Sequence, residues 1–258
     1  MGTIYAIVNQ KGGVGKTTTA VNVAVFMGIL GAKVLLIDLD PQGNATSGLG
    51  IDRSKLESSI YDVLIEGKSV LEVVLETPLQ GLSLLPATLD LAGAELQLMS
   101  MLSRETLLKH ALAQVRDSYD VILIDAPPSL GLLTLNALVA SDALIIPVQT
   151  EYYALEGISQ LLKTVELVKR QLNPDLEIGR VILTLYDERT RLARQVVEEV
   201  KTYFGELVSP TIVPRNVRLS EAPSHGLPIA LYDPRSRGAH AYKSIAKEIL
   251  KHGKARTR

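Results

Sequence analysis

Cysteine is absent from the 258 residues, which excludes disulfides, thiolate metal sites and cysteine-ligated iron–sulfur clusters. Nowhere do the roughly 18 consecutive apolar residues of a bilayer span occur, although 47 % of the residues are hydrophobic, so a transmembrane chain is not expected. The opening MGTIYAIVNQ has no basic leader and runs straight into a strand-like segment; neither a secretory signal nor a transit peptide is expected, and the chain reads as cytoplasmic. Internal repeats, low-complexity linkers and breaks in composition are missing as well. With about 100 to 200 residues per domain as a guide, the economical reading is a single domain over residues 1–250. A short basic tail, 251–258, is expected to fray.

Neither sign of charge dominates: 27 Lys and Arg stand against 28 Asp and Glu, a formal net charge of −1. Taken alone, that balance argues against a nucleic-acid binder, but it hides a split along the chain. Residues 1–179 hold 12 Lys/Arg and 20 Asp/Glu, giving −8, while residues 180–258 hold 15 and 8, giving +7. Scattered solvated charge and a basic binding face both fit this asymmetry, and composition does not separate them.

Apolar, β-branched runs alternate with amphipathic stretches. Strands are predicted at Ile4–Val8, Val34–Ile37, Leu82–Pro86, Val121–Ile124, Ala143–Val148, Val181–Leu185 and Thr211–Val213. Helices are predicted at Thr17–Leu30, Arg104–Arg116, Leu155–Leu172, Leu192–Phe204 and Ala239–Leu250. Short strands apolar on both faces and separated by helices specify an α/β fold, a mostly parallel twisted sheet with helices on both faces.

The first predicted strand leads into Asn9-Gln10-Lys11-Gly12-Gly13-Val14-Gly15-Lys16-Thr17-Thr18, where a helix begins. Ligands of open parallel sheets bind at the carboxyl ends of the strands, and a helix N-terminus there offers phosphate a row of N–H groups and a positive dipole end. The glycines let the main chain come close, so the backbone of Gly12, Gly13, Val14, Gly15 and Thr18 can cradle phosphate. Lys16 would reach the β- and γ-phosphates, and the Thr17 hydroxyl would ligate Mg²⁺. The usual P-loop pattern has Gly where this sequence has Gln10, yet Gly15-Lys16-Thr17 is intact.

Two further segments end in acids. Alternation along Val34-Leu35-Leu36-Ile37-Asp38-Leu39-Asp40 puts Asp38 and Asp40 on one side at the strand's carboxyl end. Two acids beside a triphosphate would repel it unless Mg²⁺ lies between or one of them orients a water; a simple turn-capping role for Asp40 in Asp-Pro-Gln-Gly is the alternative. The apolar strand Val121–Ile124 ends in Asp125, a Walker B arrangement that would hold Mg²⁺ through water, and the prolines and Gly131 of 125–132 suit either a two-position loop or a plain strand end.

The segment Lys11 to Thr18, with its second lysine, resembles the deviant Walker A motif of the ParA/MinD superfamily of ATPases, and the resemblance implies a P-loop NTPase fold. The resemblance extends over nearly the whole chain through Asp38–Gly50, Ile124–Thr134, Tyr152–Gly157 and Pro214–Gly226, segments that look like those of the chromosomal ParA/Soj group of DNA-partitioning ATPases. It implies ATP and Mg²⁺ as cofactors and an ATP-bound sandwich homodimer that coats double-stranded DNA without sequence preference. Release follows when the centromere-binding partner ParB stimulates hydrolysis, so the chain would be nucleoid-associated. Residue by residue it implies that Lys11 reaches across the dimer to the partner's nucleotide, that Asp38 supports the metal shell and Asp40 the attacking water, and that Pro214 and Asn216 contact adenine. Arg189 and Arg218 match arginines that contact DNA, with Lys247 adding a weaker contact; a solvated lysine at 11 and ordinary salt bridges at 189 and 218 are the alternatives. A MinD-type positioning ATPase without DNA binding is the second reading, but Ile245, Ile249 and Leu250 have no bulky aromatic companions for a membrane anchor. The absence of cysteine removes the nitrogenase iron-protein branch. A loop starting at residue 10 leaves no room before it for the helix-turn-helix domain of longer plasmid relatives, and a link to cobyrinate or dethiobiotin synthetases lacks a separate substrate motif.

Overall fold

The computed structural model describes residues 1–151 and 154–256. Tyr152 and Tyr153 of the Tyr152–Gly157 motif, and Thr257 and Arg258 of the expected tail, lie outside the described residues. The strands are β1 (Thr3–Ile7), β2 (Val34–Asp38), β3 (Leu75–Glu76), β4 (Leu82–Leu85), β5 (Val121–Asp125), β6 (Ala143–Gln149) and β7 (Glu177–Thr184), arranged β3-β4-β2-β5-β1-β6-β7. All neighbours are parallel except β3 with β4. The helices are α1 (Lys16–Ile29), α2 (Asn44–Gly48), α3 (Val70–Val73), α4 (Leu91–Leu98), α5 (Leu107–Ala113), α6 (Leu132–Ala140), α7 (Ala154–Gln171), α8 (Arg191–Phe204), α9 (Val217–Glu221), α10 (Ile229–Tyr232) and α11 (Arg237–Arg256).

Alternate side chains of each strand enter different cores, as a sheet covered on both faces requires. Ile4 and Ala6 of β1, with Leu35 and Ile37 of β2, join a core closed by helices α4 to α8. Tyr5 and Ile7, with Val34 and Leu36, join a second core closed by α1 and α11. The expected fold class is therefore the one observed. Helix α1 ends in a Schellman turn: Gly31, at φ 91°, and Ala32 donate to Gly28 and Met27. That sharp stop turns the chain straight back into β2.

Three expectations are corrected. Thr211–Val213 is not a strand of the sheet; it follows β7 through single bonds from Ser209 N to Val181 O at 2.8 Å and from Val213 N to Leu183 O at 2.9 Å, with isolated bridges at Val208 and Pro214, because Pro210 and Pro214 lack the N–H groups a continuous ladder needs. The predicted helix at Arg104 begins at Leu107, after a turn in which Ser103 adopts φ 52° and its carbonyl accepts from Thr106 N. Helix α11 does not stop at Leu250 but continues through the basic segment to Arg256, and its Gly253 sits close to Tyr5 and Thr3 of β1.

Candidate active site

The sheet order places β5 between β1 and β2, so three segments far apart in sequence end side by side. Parallel register pairs Ile7 with Asp125 and Asp38 with Asp125. The loop after β1 occupies the same edge. Gly13 and Gly15 adopt φ of 74° and 88°, and Gly15 caps α1 in the left-handed region that an L-residue enters at a cost of about 1 to 2 kcal/mol. A Cβ at Gly13 would meet nothing within 4 Å, and one at Gly15 would make only ordinary contact with Thr184 at 3.9 Å, so conformation, not crowding, demands glycine there. Asn9, which the sequence did not single out, fastens the start of the loop: its amide donates to Pro147 O at 2.7 Å and its oxygen accepts from Lys11 N at 3.0 Å. The far side is held by Thr184 of β7, whose hydroxyl donates to Val14 O at 2.8 Å.

Lys16 is buried, with Nζ donating to Lys11 O at 3.2 Å. Burial lowers its pKa, while the charges of Asp125 and Asp40 act in the opposite sense. Asp38 and Asp125 are wholly buried. Asp38 Oδ2 accepts from both the backbone N–H and the hydroxyl of Thr46, each at 2.7 Å, and Oδ1 accepts a longer bond of 3.3 Å from Asp40 N. Burial pushes the Asp38 carboxyl up to about 6. Asp125 is raised well above the ordinary carboxylate range, first by burial and then by the Asp38 charge; the Thr17 hydroxyl counteracts this without reaching hydrogen-bond geometry. Neither Asp125 oxygen has a hydrogen-bond partner among the described residues. Two buried acids in register, one with no donor, beside a buried lysine and a threonine hydroxyl, make a donor set that fits a hard divalent cation and phosphate.

Asp40 does cap its turn, accepting from Gln42 N at 2.9 Å, and it is buried beside the same edge. Lys11 pairs within its own chain, its Nζ 3.4 Å from Glu151 Oε2. Glu151 also lies 3.6 Å from Arg215 Nη2. In the segment after Asp125 the Thr134 hydroxyl donates to Ser129 O at 2.6 Å, and the Glu95 carboxylate of α4 lies over Gly131, where a Cβ would collide with it.

Pro214 lines a cavity of about 400 Å³ with Asp187, Arg189, Arg215, Arg237 and Tyr186, the last two residues beyond the Thr184 that touches the loop. Asn216 caps α9 by accepting from Arg218 N at 3.0 Å. Arg189 is strongly exposed and chelates Asp187 through two nitrogens at 2.9 and 2.8 Å. Arg218 reaches Glu221 at 3.0 Å and Asp233 at 3.6 Å. These arginines belong to neighbouring segments, because Val217 lines the same cavity as Arg189. Lys247 is exposed on α11, and no contact among the described residues brings it to them. Thr46 and Glu151 carry no signal in the sequence because their partners are distant along it; Asn9 carries a local one, an Asx turn at a strand end.

A family model described as an AAA domain matches residues 2–178. The sporulation initiation inhibitor protein Soj of Bacillus subtilis is 58 % identical over 253 residues, which cover 98 % of this chain and 100 % of that one. The chromosome partitioning protein ParA of Myxococcus xanthus is 52 % identical, covering 97 % and 89 %. Among solved structures, cobyrinic acid a,c-diamide synthase from Mycobacterium smegmatis with bound ADP and magnesium superposes with a TM-score of 0.86 at 40 % identity, covering 99 % of this chain and 96 % of that one.

Proposed function

Because the chain belongs to the ParA/Soj family of chromosome-partitioning ATPases, we propose that it is a nucleotide-driven switch whose ATP-bound dimer holds DNA and whose hydrolysis lets go. The observation that carries this reading is the convergence of buried Lys16, Asp38 and Asp125 on the loop after β1. The loop amides from Gly12 to Thr18 and the Lys16 ammonium bind the phosphates of ATP. Thr17, Asp38 and Asp125 would hold Mg²⁺, which would supply charge to offset the phosphates. Asp40 orients the attacking water. Pro214 and Asn216 flank the base, supported by the cavity that Pro214 lines.

Lys11 leaves Glu151 when two chains meet and lays its charge against the partner's nucleotide, as an arginine finger does. Loss of the γ-phosphate is felt by the segment after Asp125. Arg189 and Arg218, with a weaker contribution from Lys247, bind DNA phosphates; each has to exchange its carboxylate partner for phosphate, at small cost because exposed pairs are worth about 0 to 1 kcal/mol. Doubling these contacts in a dimer gives binding that depends on nucleotide and salt and ignores sequence. A ParB-type centromere-binding protein accelerates hydrolysis and frees the DNA. These steps place the chain in the cytoplasm, on the nucleoid.

Synthesis of a small molecule on the same loop is the reading favoured by the name of the structural neighbour at 40 % identity, set against partitioning names at higher identity. One experiment separates the two: retention of unrelated DNA duplexes, with sedimentation, in ATP and in ADP. The parent and Asp40→Ala should dimerise and retain DNA with ATP only, whereas Lys11→Ala should bind ATP as a monomer and retain none. DNA retention that ignores the nucleotide, or a normal Lys11→Ala dimer, overturns the switch.

A further inference from the structure

Thr46 is completely buried in α2, eight residues from the acid it touches. Its backbone N–H and its hydroxyl both donate to the same oxygen of Asp38, Oδ2, at 2.7 Å each. The hydroxyl in turn accepts from Ala87 N at 3.1 Å. A hydroxyl has one proton. With an N–H pointing at its oxygen from Ala87, that proton can only lie toward Asp38, so the rotor is fixed and so is the carboxylate. Oδ2 is doubly occupied, and Oδ1, with one long bond from Asp40 N, is the oxygen left to face an ion's shell.

We propose that Thr46 is a positioning residue for the magnesium site: it clamps Asp38 by one oxygen so that the other is presented to the ion's water. The proposal rests on the reading of Asp38 as a metal-shell residue, and the geometry extends it to a residue that touches neither ion nor nucleotide. It also explains why a hydroxyl sits there: serine could make the same bonds, whereas valine could fill the space without any. Because Ala87 opens the connection from β4 to α4, the clamp also ties the ion site to the helix whose Glu95 rests on Gly131.

Outer-shell partners of a bound metal are worth 10- to 100-fold in its affinity. The test is calorimetric binding of ADP to the full chain across a Mg²⁺ titration, reading the Mg²⁺ concentration at half effect, with thermal midpoints recorded in parallel without Mg²⁺. Thr46→Val and Thr46→Ala should raise that concentration about 10-fold or more, and Thr46→Ser should lie close to the parent. Thr46→Ala, which leaves room for water at Ala87 N and Asp38, carries the test if the valine variant does not fold. A purely structural threonine would lower the thermal midpoint and leave the Mg²⁺ requirement within twofold of the parent; that result overturns the proposal. Asp38→Asn in the same titration separates the two levels: if it shifts the Mg²⁺ requirement and the Thr46 variants do not, the clamp alone is wrong. If Asp38→Asn leaves the requirement unmoved, the metal role of Asp38 falls, and the clamp with it.

Discussion

Asp38→Asn should make the nucleotide-free, magnesium-free protein more stable, and only above acid pH. The Asp38 carboxyl is completely buried and stands at about 6 against an ordinary 3.8, with burial as the largest cause and the bonds from Thr46 and Asp40 opposing it. A rise of about two units at 1.36 kcal/mol each is about 3 kcal/mol held against the folded carboxylate. The raised value means that the folded chain keeps this proton more tightly than the unfolded one. Stability from the group is therefore greatest below the unfolded pKa near 4, and it drains away as pH rises through 6. An Asn side chain keeps both Thr46 bonds on its amide oxygen and gives up the long bond from Asp40 N, a loss of about 1 kcal/mol. The balance above pH 7 is about 2 kcal/mol, or roughly 4 to 8 °C in Tm for a chain of this size, while at pH 4 the variant gains nothing. Scanning calorimetry from pH 4 to 8 in a chelator reads the difference directly. An Asp38→Asn Tm below the parent's at pH 7.5, or a gap that does not change with pH, refutes the reasoning.

Arg218→Glu should flatten the log–log salt dependence of DNA binding by about 0.9 for each DNA phosphate that is no longer neutralised, equally on unrelated duplexes, with ATP-dependent sedimentation unchanged. A parental salt slope, or failure to dimerise alongside failure to bind DNA, removes Arg218 from the interface. Gly131→Ala drives a methyl into the Glu95 carboxylate, the free end of a flexible side chain, and should cost about 0.5 to 1.5 kcal/mol in a urea melt, the strain of an off-rotamer glutamate. Glu95→Ala in the same chain should recover most of that, and a cost that persists in the double variant shows that Glu95 is not what the methyl meets.

The apolar runs at 34–37 and 121–124 are readable because a strand buried on both faces leaves no polar residue to interrupt it, and each closes on an acid. The glycine loop is legible for a related reason: its residue types are demanded by backbone geometry and phosphate, whatever surrounds them. What escapes depends on distant neighbours. β3 is two residues, half-exposed Leu75 and exposed Glu76, and exists only because β4 is there to pair with. Conversely, Thr211–Val213 has strand composition, and the prolines on both sides keep it from a ladder. Thr46 is one threonine among several in the sequence; its role comes from Asp38 and Ala87, which the fold delivers from eight and 41 positions away. Arg189 and Arg218 are legible as arginines, but their present carboxylate partners can be named only with the fold in hand.

The position of β5 has a consequence for how the protein comes into being. β1 and β2 never touch; the strand that joins them is synthesised more than 80 residues after β2 ends. A nascent chain that has already emitted the glycine loop and Asp38 therefore carries two apolar strands that share the helix α1 but leave open, between them, the edges that β5 will fill. Parallel pairings at such separations form slowly, because the intervening loop must close before any contact rewards it. During translation, at about 5 to 20 residues per second, the amino-terminal third waits several seconds for its missing partner. The geometry that assembles the phosphate site from three remote segments thus leaves that site incomplete on the ribosome until residue 125 has emerged.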